Sequence, residues 1–330
     1  MRRVTAREDM MNSGKLGGCI VALTMMLLPL NVQADPVRIG FAVESVDYSP
    51  AFAAERLGLY SKSKLDVKLI NFRGGAAAQE ALSAGAADII GYFSPAVALA
   101  VSKGAKEKMV ATVSAGHTGW HVVVNANSSI KTIKDLEGKK VGITLKATTS
   151  DMAALWIAEK AGVNFQQVPL GGGGMVPGLR NNQVDAIVVN LFSSVIAARD
   201  IKDGKMRSVF ELSNEMPRTL SNVYVASQDM IDKRPDDLRA TLAAIYGALT
   251  HMRGNRDWTI DFLKRYAKLE NDDMNDMLFN QISNGLSQDG RIDRKWIEDG
   301  LQIASRAWQV NELAKMNPDA LYTNSFLALK

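Results

Sequence analysis

Apolar and polar positions along this chain switch between a two-residue and a three-to-four-residue period, and they do so in the same order twice. From residue 37, "VRIGFAV" alternates as a short strand, "ESVDYSP" is a polar turn, and "AFAAERLGLYSK" has helical spacing with a glycine stop. "LDVKLINF" predicts a second strand, "RGG" a turn, "AAAQEALSAG" a helix and "ADIIGYF" a third strand. A further helix opens at Pro95, where proline fits a first helical turn. From residue 139 the order recurs: strand "KKVGITL", turn "KATTS", helix "DMAALWIAEKAG", strand "FQQVPL", turn "GGGG", a weak helix "MVPGLRNN", strand "DAIVVNLF" and helix "SSVIAARDIKDGK". Leu82, Gly85 and Asp88 have counterparts in Leu179, Asn182 and Asp185, each 97 residues later.

Each β-α-β-α-β unit predicts a small parallel sheet with right-handed crossovers. Ligands gather at the carboxyl ends of such strands, so two facing units predict a cleft lined from both sides. Asp88 and Asp185 read as strand starts that bond turn backbone, a structural role rather than a catalytic one. Between the units, "VATVSAGHTGWHVVVNANSSI" is extended and carries the chain out of the first domain; "SNVYVASQDMI" carries it back. Two crossing strands make a hinge. From Pro235 onward the pattern is strongly helical, and these helices are expected to pack on the first domain. The expected division is a leader at 1–34, a discontinuous first domain at 35–118 and 223–330, and a second domain at 119–222.

The N-terminus is unlike the rest. Arg2, Arg3, Arg7 and Lys15 precede the apolar run "LGGCIVALTMMLLPL" and then "NVQAD", the layout of a secretory leader with cleavage expected after Ala34. The run is shorter than the roughly 20 apolar residues of a membrane span and ends in Pro29. Cys19, the only cysteine, sits in "LGGC", but the apolar run follows it rather than precedes it, unlike a lipoprotein site. Without the leader the chain has no cysteine, which excludes disulfides, a thiolate nucleophile and cysteine-based metal sites. It also keeps 35 basic and 33 acidic residues, a balance that makes no case for nucleic acid or a membrane surface.

"PAFAAERLGLYSKSKLDVKLINFRGG", "ALSAGAADIIGYFSP", "IKTIKDLEGKKVGI" and "GLRNNQVDAIVV" resemble the substrate-binding proteins of ABC importers for nitrate, taurine and alkanesulfonates, a superfamily that includes thiamine-precursor binders. The resemblance spans about residues 37–310 and lies in the order of the motifs, with "DLEGKKVG" after the hinge the most telling. It implies the α/β type II periplasmic binding architecture: two sheet domains, a two-strand hinge and a cleft that closes around ligand. It further implies a periplasmic monomer that delivers its ligand to a membrane permease and ATPase, with no cofactor and no catalysis. The alternative role is a ligand-sensing module that passes its loaded state to a membrane receptor; gene neighbours encoding a permease and an ATPase would favour transport. Pyrimidine-forming proteins that share the fold carry a cysteine-rich iron motif, which this chain lacks.

The candidate contacts follow the strand ends. In "KATTSDMAAL", Lys146, Thr148, Thr149 and Ser150 precede a helix whose free N–H groups favour an anion; the alternative is plain helix capping and a solvated lysine. Arg73 stands beside Gly74 in "FRGG", suited to grip a carboxylate or sulfonate, or else a surface arginine on a turn. Asp47, Tyr48 and Ser94 in the first unit, and Asn190 and Phe192 in the second, point to the same cleft or serve as caps and core. His117 or Trp120 is placed to reach it from the hinge. "GGGG" lacks a following GK[ST], which removes a phosphate-loop reading. His117 and His121 share a face but lie about 13 Å apart on an extended segment, too far for one metal ion. The ligand expected is an organic anion, with a neutral or cationic heterocycle held by Asp47 and Glu44 as the alternative.

Overall fold

The computed structural model describes residues 35–42, 45–192, 194–213, 215–267 and 274–328. The expected leader and Glu44 lie outside the described residues. The chain forms β1 (Val37–Phe41), β2 (Val67–Asn71), β3 (Ile89–Phe93) and β4 (Glu107–Thr112), then crosses. It next forms β5 (Trp120–Asn125), β6 (Lys140–Ile143), β7 (Gln166–Pro169), β8 (Ala186–Asn190) and β9 (Met206–Glu211), and returns as β10 (Asn222–Ser227). One sheet has the order β2-β1-β3-β10-β4 and the other β7-β6-β8-β5-β9, the same plan twice.

The sheets are mixed rather than purely parallel. β1, β2 and β3 pair in parallel, as do β6, β7 and β8. The fourth strand of each sheet, β10 or β5, is antiparallel to both its neighbours. Periodicity identified the parallel triplets; the antiparallel strands come from the crossing segments, whose direction only the tertiary path sets.

The two aspartates at the repeat do the same job. Asp88 Oδ2 accepts the Arg38 backbone N–H at 2.8 Å, and Asp185 Oδ2 accepts that of Lys140 at 2.8 Å, each tying the third strand to the first. Gly85 (φ 71°) and Asn182 (φ 54°) both take the left-handed conformation that ends the preceding helix, one that glycine and asparagine adopt at least cost. Asp88 also binds the Arg38 guanidinium through both oxygens, a contact with no counterpart at Asp185 among the described residues.

"GGGG" is not a turn. Gly171–Arg180 is helical from its first glycine, and Pro177 lies within it. The C-terminal helices divide in two. The helix Pro235–Gly254 packs on Ser49–Arg56 beside the first sheet, as expected, but Arg294–Trp308 packs against both Ser94–Ser102 and Thr149–Ala161. One apolar core therefore runs from Ile90 and Val97 through Leu301 and Ile303 to Val141 and Met152. Among the described residues no helix is long and apolar enough to cross a membrane.

Candidate functional site

The polar turn after β6 closes largely on itself. Ser150 is fully buried; its Oγ accepts the Thr144 N–H at 2.9 Å and lies 2.7 Å from Thr144 Oγ1 and 3.1 Å from Thr148 Oγ1. Thr148 Oγ1 donates to the Leu145 carbonyl at 2.7 Å, so it makes no cap bond to the helix Thr149–Ala161. Thr149 Oγ1 lies 3.4 Å from Ser221 Oγ on the returning segment.

Lys146 is engaged. Its Nζ donates to Asp151 Oδ1 at 3.2 Å and also to Gln167 Oε1. Asp151 is 1% exposed, and its Oδ2 accepts the Ala147 N–H and the Trp308 indole N–H, each at 2.9 Å. The backbone bond holds Ala147 at φ 57°, a strained conformation for alanine. A buried carboxylate with three donors is a well-satisfied group, and it draws the lysine's charge toward the protein rather than toward a guest.

Beside the first sheet, Asp47 is buried in the single 3-10 turn Val46–Tyr48 that follows β1, and both its oxygens are occupied, by Asn222 Nδ2 at 2.8 Å and Gln281 Nε2 at 2.6 Å. Burial pushes its carboxyl above the usual range, and the two amide donors pull the other way. Tyr48 is a core residue rather than a cleft wall, 1% exposed and packed against Phe41 and Tyr224, with ring centroids 5.4 and 5.9 Å away. Ser94 is buried at the start of its helix, and its N–H donates to the Ser221 carbonyl at 3.0 Å. Arg73 differs from these. It is exposed on the loop after β2, and among the described residues it has no hydrogen-bond or carboxylate partner. Beside it Gly74, at φ 104°, comes so near the turn after β6 that a Cβ there would sit 3.8 Å from Leu145 Cδ1. The two strand-end loops thus meet across the cleft, and the 45%-exposed Leu145 forms part of its rim. Val195, after β8, is buried in the apolar cluster of the first sheet and closes a second point of contact.

The hinge consists of residues 113–119 outgoing and 212–221 returning. Gly116 N–H donates to the Thr219 carbonyl at 2.7 Å and Ser221 N–H to that of Ser114 at 3.0 Å. His117 is 1% exposed between them, with Nε2 3.1 Å from the Pro217 carbonyl and 3.2 Å from Thr219 Oγ1. Burial pulls its pKa down to about 4, so it is neutral and fastens the two segments instead of reaching a ligand. Trp120 opens β5, half-buried against the shared core. At the end of β8, Asn190 Nδ2 donates to the Thr118 carbonyl at 3.2 Å and its Oδ1 accepts the Phe192 N–H at 2.9 Å. Phe192 is half-buried against Gly119, where a Cβ would come within 2.6 Å of its ring. The second unit therefore presents a hydrogen-bonded loop with an aromatic face.

Among the described residues no three His, Cys, Asp or Glu side chains cluster as a metal site. Of the groups that the sequence did not single out, Gln281, Ser221 and Trp308 act through partners far along the chain, and Asp151 joins one such partner, Trp308, to its own turn. Only Asp151, next to the hydroxyl turn, had a local signal: an acid in the first turn of a helix.

The doubled sheet order, the two crossing segments and the facing strand ends define a two-lobed binding architecture. An Escherichia coli periplasmic aliphatic sulphonate binding protein, SsuA, is similar with a TM-score of 0.70 and 18% identity, over 90% of this chain and 95% of that one. The periplasmic nitrate-binding protein NrtA of Synechocystis PCC 6803 is similar with a TM-score of 0.69 and 13% identity, over 88% of this chain and 86% of that one. A Bordetella bronchiseptica RB50 protein reaches 0.73 at 23% identity, over 89% of this chain and 96% of that one. No curated protein sequence matches the chain. The NMT1/THI5-like family model matches residues 45–257, and the chain belongs to that family.

Proposed function

We propose that this protein is a periplasmic solute-binding protein that captures a small organic anion, a sulfonate or carboxylate, between its two sheets and delivers it to an ABC importer. Family membership and the likeness to sulphonate- and nitrate-binding proteins support the binding and delivery role. A leader cut after Ala34 would export the chain, which would act as a monomer with a permease and an ATPase as partners. The two lobes, 35–118 with 223–330 and 119–222, close by bending at the hinge.

The observation that carries the choice of anion is Arg73, the one candidate ion among the described residues whose charge is left uncommitted. Lys146 is bound to Asp151, and both oxygens of Asp47 are occupied, which removes the described anchor for a protonated heterocycle. Thermal unfolding of the purified protein with taurine, ethanesulfonate, nitrate, benzoate, thiamine and putrescine tests this. Ligand at 100 times its dissociation constant adds about 2.7 kcal/mol. A shift with an acidic compound that is lost in Arg73→Ala is expected; a shift only with thiamine or putrescine overturns the anion assignment.

A further inference from the structure

A cavity of about 660 Å³ shares no lining residue with the cleft candidates. That volume falls in the range of small-molecule sites, about 300–1,000 Å³. One wall is the hinge with the strand end that leads into it, Thr112 closing β4, Ala115 on the outgoing segment and Arg218 on the returning one; the other is the loop around residues 284–294 with Trp296. The loop is stapled to the hinge. Thr112 N–H donates to the Gly290 carbonyl at 2.7 Å, Thr112 Oγ1 to that of Arg291 at 2.9 Å, and Ser287 N–H to that of Val113 at 2.8 Å. The space is thus preformed.

Its charges are unequal in their freedom. Asp289 Oδ1 accepts the Arg291 N–H at 2.9 Å, Asp293 Oδ1 accepts the Lys295 N–H at 2.8 Å, and Arg294 is held by Asp319 and Glu298. The guanidinium groups of Arg218 and Arg291 are exposed and, among the described residues, have no carboxylate partner. Arg218 lies over the Trp296 ring at 4.4 Å, which fixes its plane while leaving its N–H edge open. Planar guanidinium edges suit carboxylates.

We infer that this cavity is a second binding site, for small organic carboxylates, separate from the cleft. Because Arg218 belongs to the returning hinge segment and Ala115 to the outgoing one, a guest here touches both segments that bend. Its affinity and that of the cleft ligand are then reciprocally coupled; this coupling rests on the hinge-closure reading above, whereas binding itself does not.

The test is titration of the ¹⁵N-labelled purified protein with sodium succinate, against sodium chloride at matched ionic strength, followed by NMR. Saturable shifts at the Trp296 indole and the Gly116 and Gly290 amides are expected. Arg218→Gln and Arg291→Gln, both exposed and so compatible with folding, should each weaken binding about ten-fold, the loss of a charge-assisted bond. No saturation, an equal response to chloride, shifts confined to Gly74 and Leu145, or unchanged affinity in both variants would each overturn the assignment. Such a failure leaves the cleft reading standing, since that reading is tested through Arg73.

Discussion

Asp151→Ala is the substitution whose effect the structure specifies most closely. The change removes the acceptor of two N–H groups, the Ala147 amide and the Trp308 indole, and the counter-charge of Lys146. Each stranded N–H costs about 1–3 kcal/mol where it is shielded from water. The lysine contributes little, since its side chain is 60% exposed and water screens the pair. The sum is about 2–6 kcal/mol, a drop in melting temperature of roughly 3–10 °C for a chain of this size. Lys146→Ala, by the same reasoning, costs less than about 1 kcal/mol, because Asp151 keeps its other two donors. Urea unfolding of the two variants and the double variant separates the terms. The double variant should match Asp151→Ala, with Asp151→Asn intermediate because an amide oxygen can still accept one bond. If Lys146→Ala proved as damaging as Asp151→Ala, the stability would reside in the ion pair, and the assignment of Asp151 to the backbone and the indole would be refuted.

Two further outcomes are expected. Asp88→Ala should cost about 2–3 kcal/mol in urea unfolding and Asp185→Ala about 1 kcal/mol, because Asp88 holds a guanidinium as well as a backbone N–H; equal losses would contradict the difference seen between the two units. His117 is neutral in the fold with a pKa near 4, below the ordinary 6.5, so the unfolded chain takes up the proton first. Stability present above pH 6.5 is then lost as pH falls toward 4, by about 3 kcal/mol. His117→Gln should flatten that part of the pH–stability curve relative to the parent protein, and a parallel curve would show that another group titrates.

How much was legible in the sequence depended on how far apart the partners lie. The repeated strands and helices, the matching aspartates and the left-handed pair Gly85 and Asn182 are set by local pattern, and the structure shows them at those positions. "GGGG" misled because glycine has low helix propensity, yet the Thr144 carbonyl accepts the Gly171 N–H at 2.8 Å and the helix continues into Met175 and Leu179, both buried. The candidate site was harder. Lys146 looked free because its partner is a buried acid five residues on, in the first turn of the next helix, and that acid is held in turn by an indole 157 residues away. Asp47 meets Asn222 and Gln281, 175 and 234 residues distant. No local pattern reports such pairings. Arg73 stays exposed, with no hydrogen-bond or carboxylate partner among the described residues, so its local reading meets no distant partner that would change it.

The exchange of strands at the crossing also sets an order of assembly. Every strand of the second sheet lies within residues 120–211, whereas the first sheet takes in β10, completed only at Ser227. As the chain is synthesised, β2, β1 and β3 emerge first, but β4 has no neighbour to pair with until β10 arrives between them. The later half can complete its own pairing before the earlier half can finish. An N-terminal fragment ending near residue 119 would therefore carry an open edge along β3 and a stray strand, the kind of surface that invites misassembly.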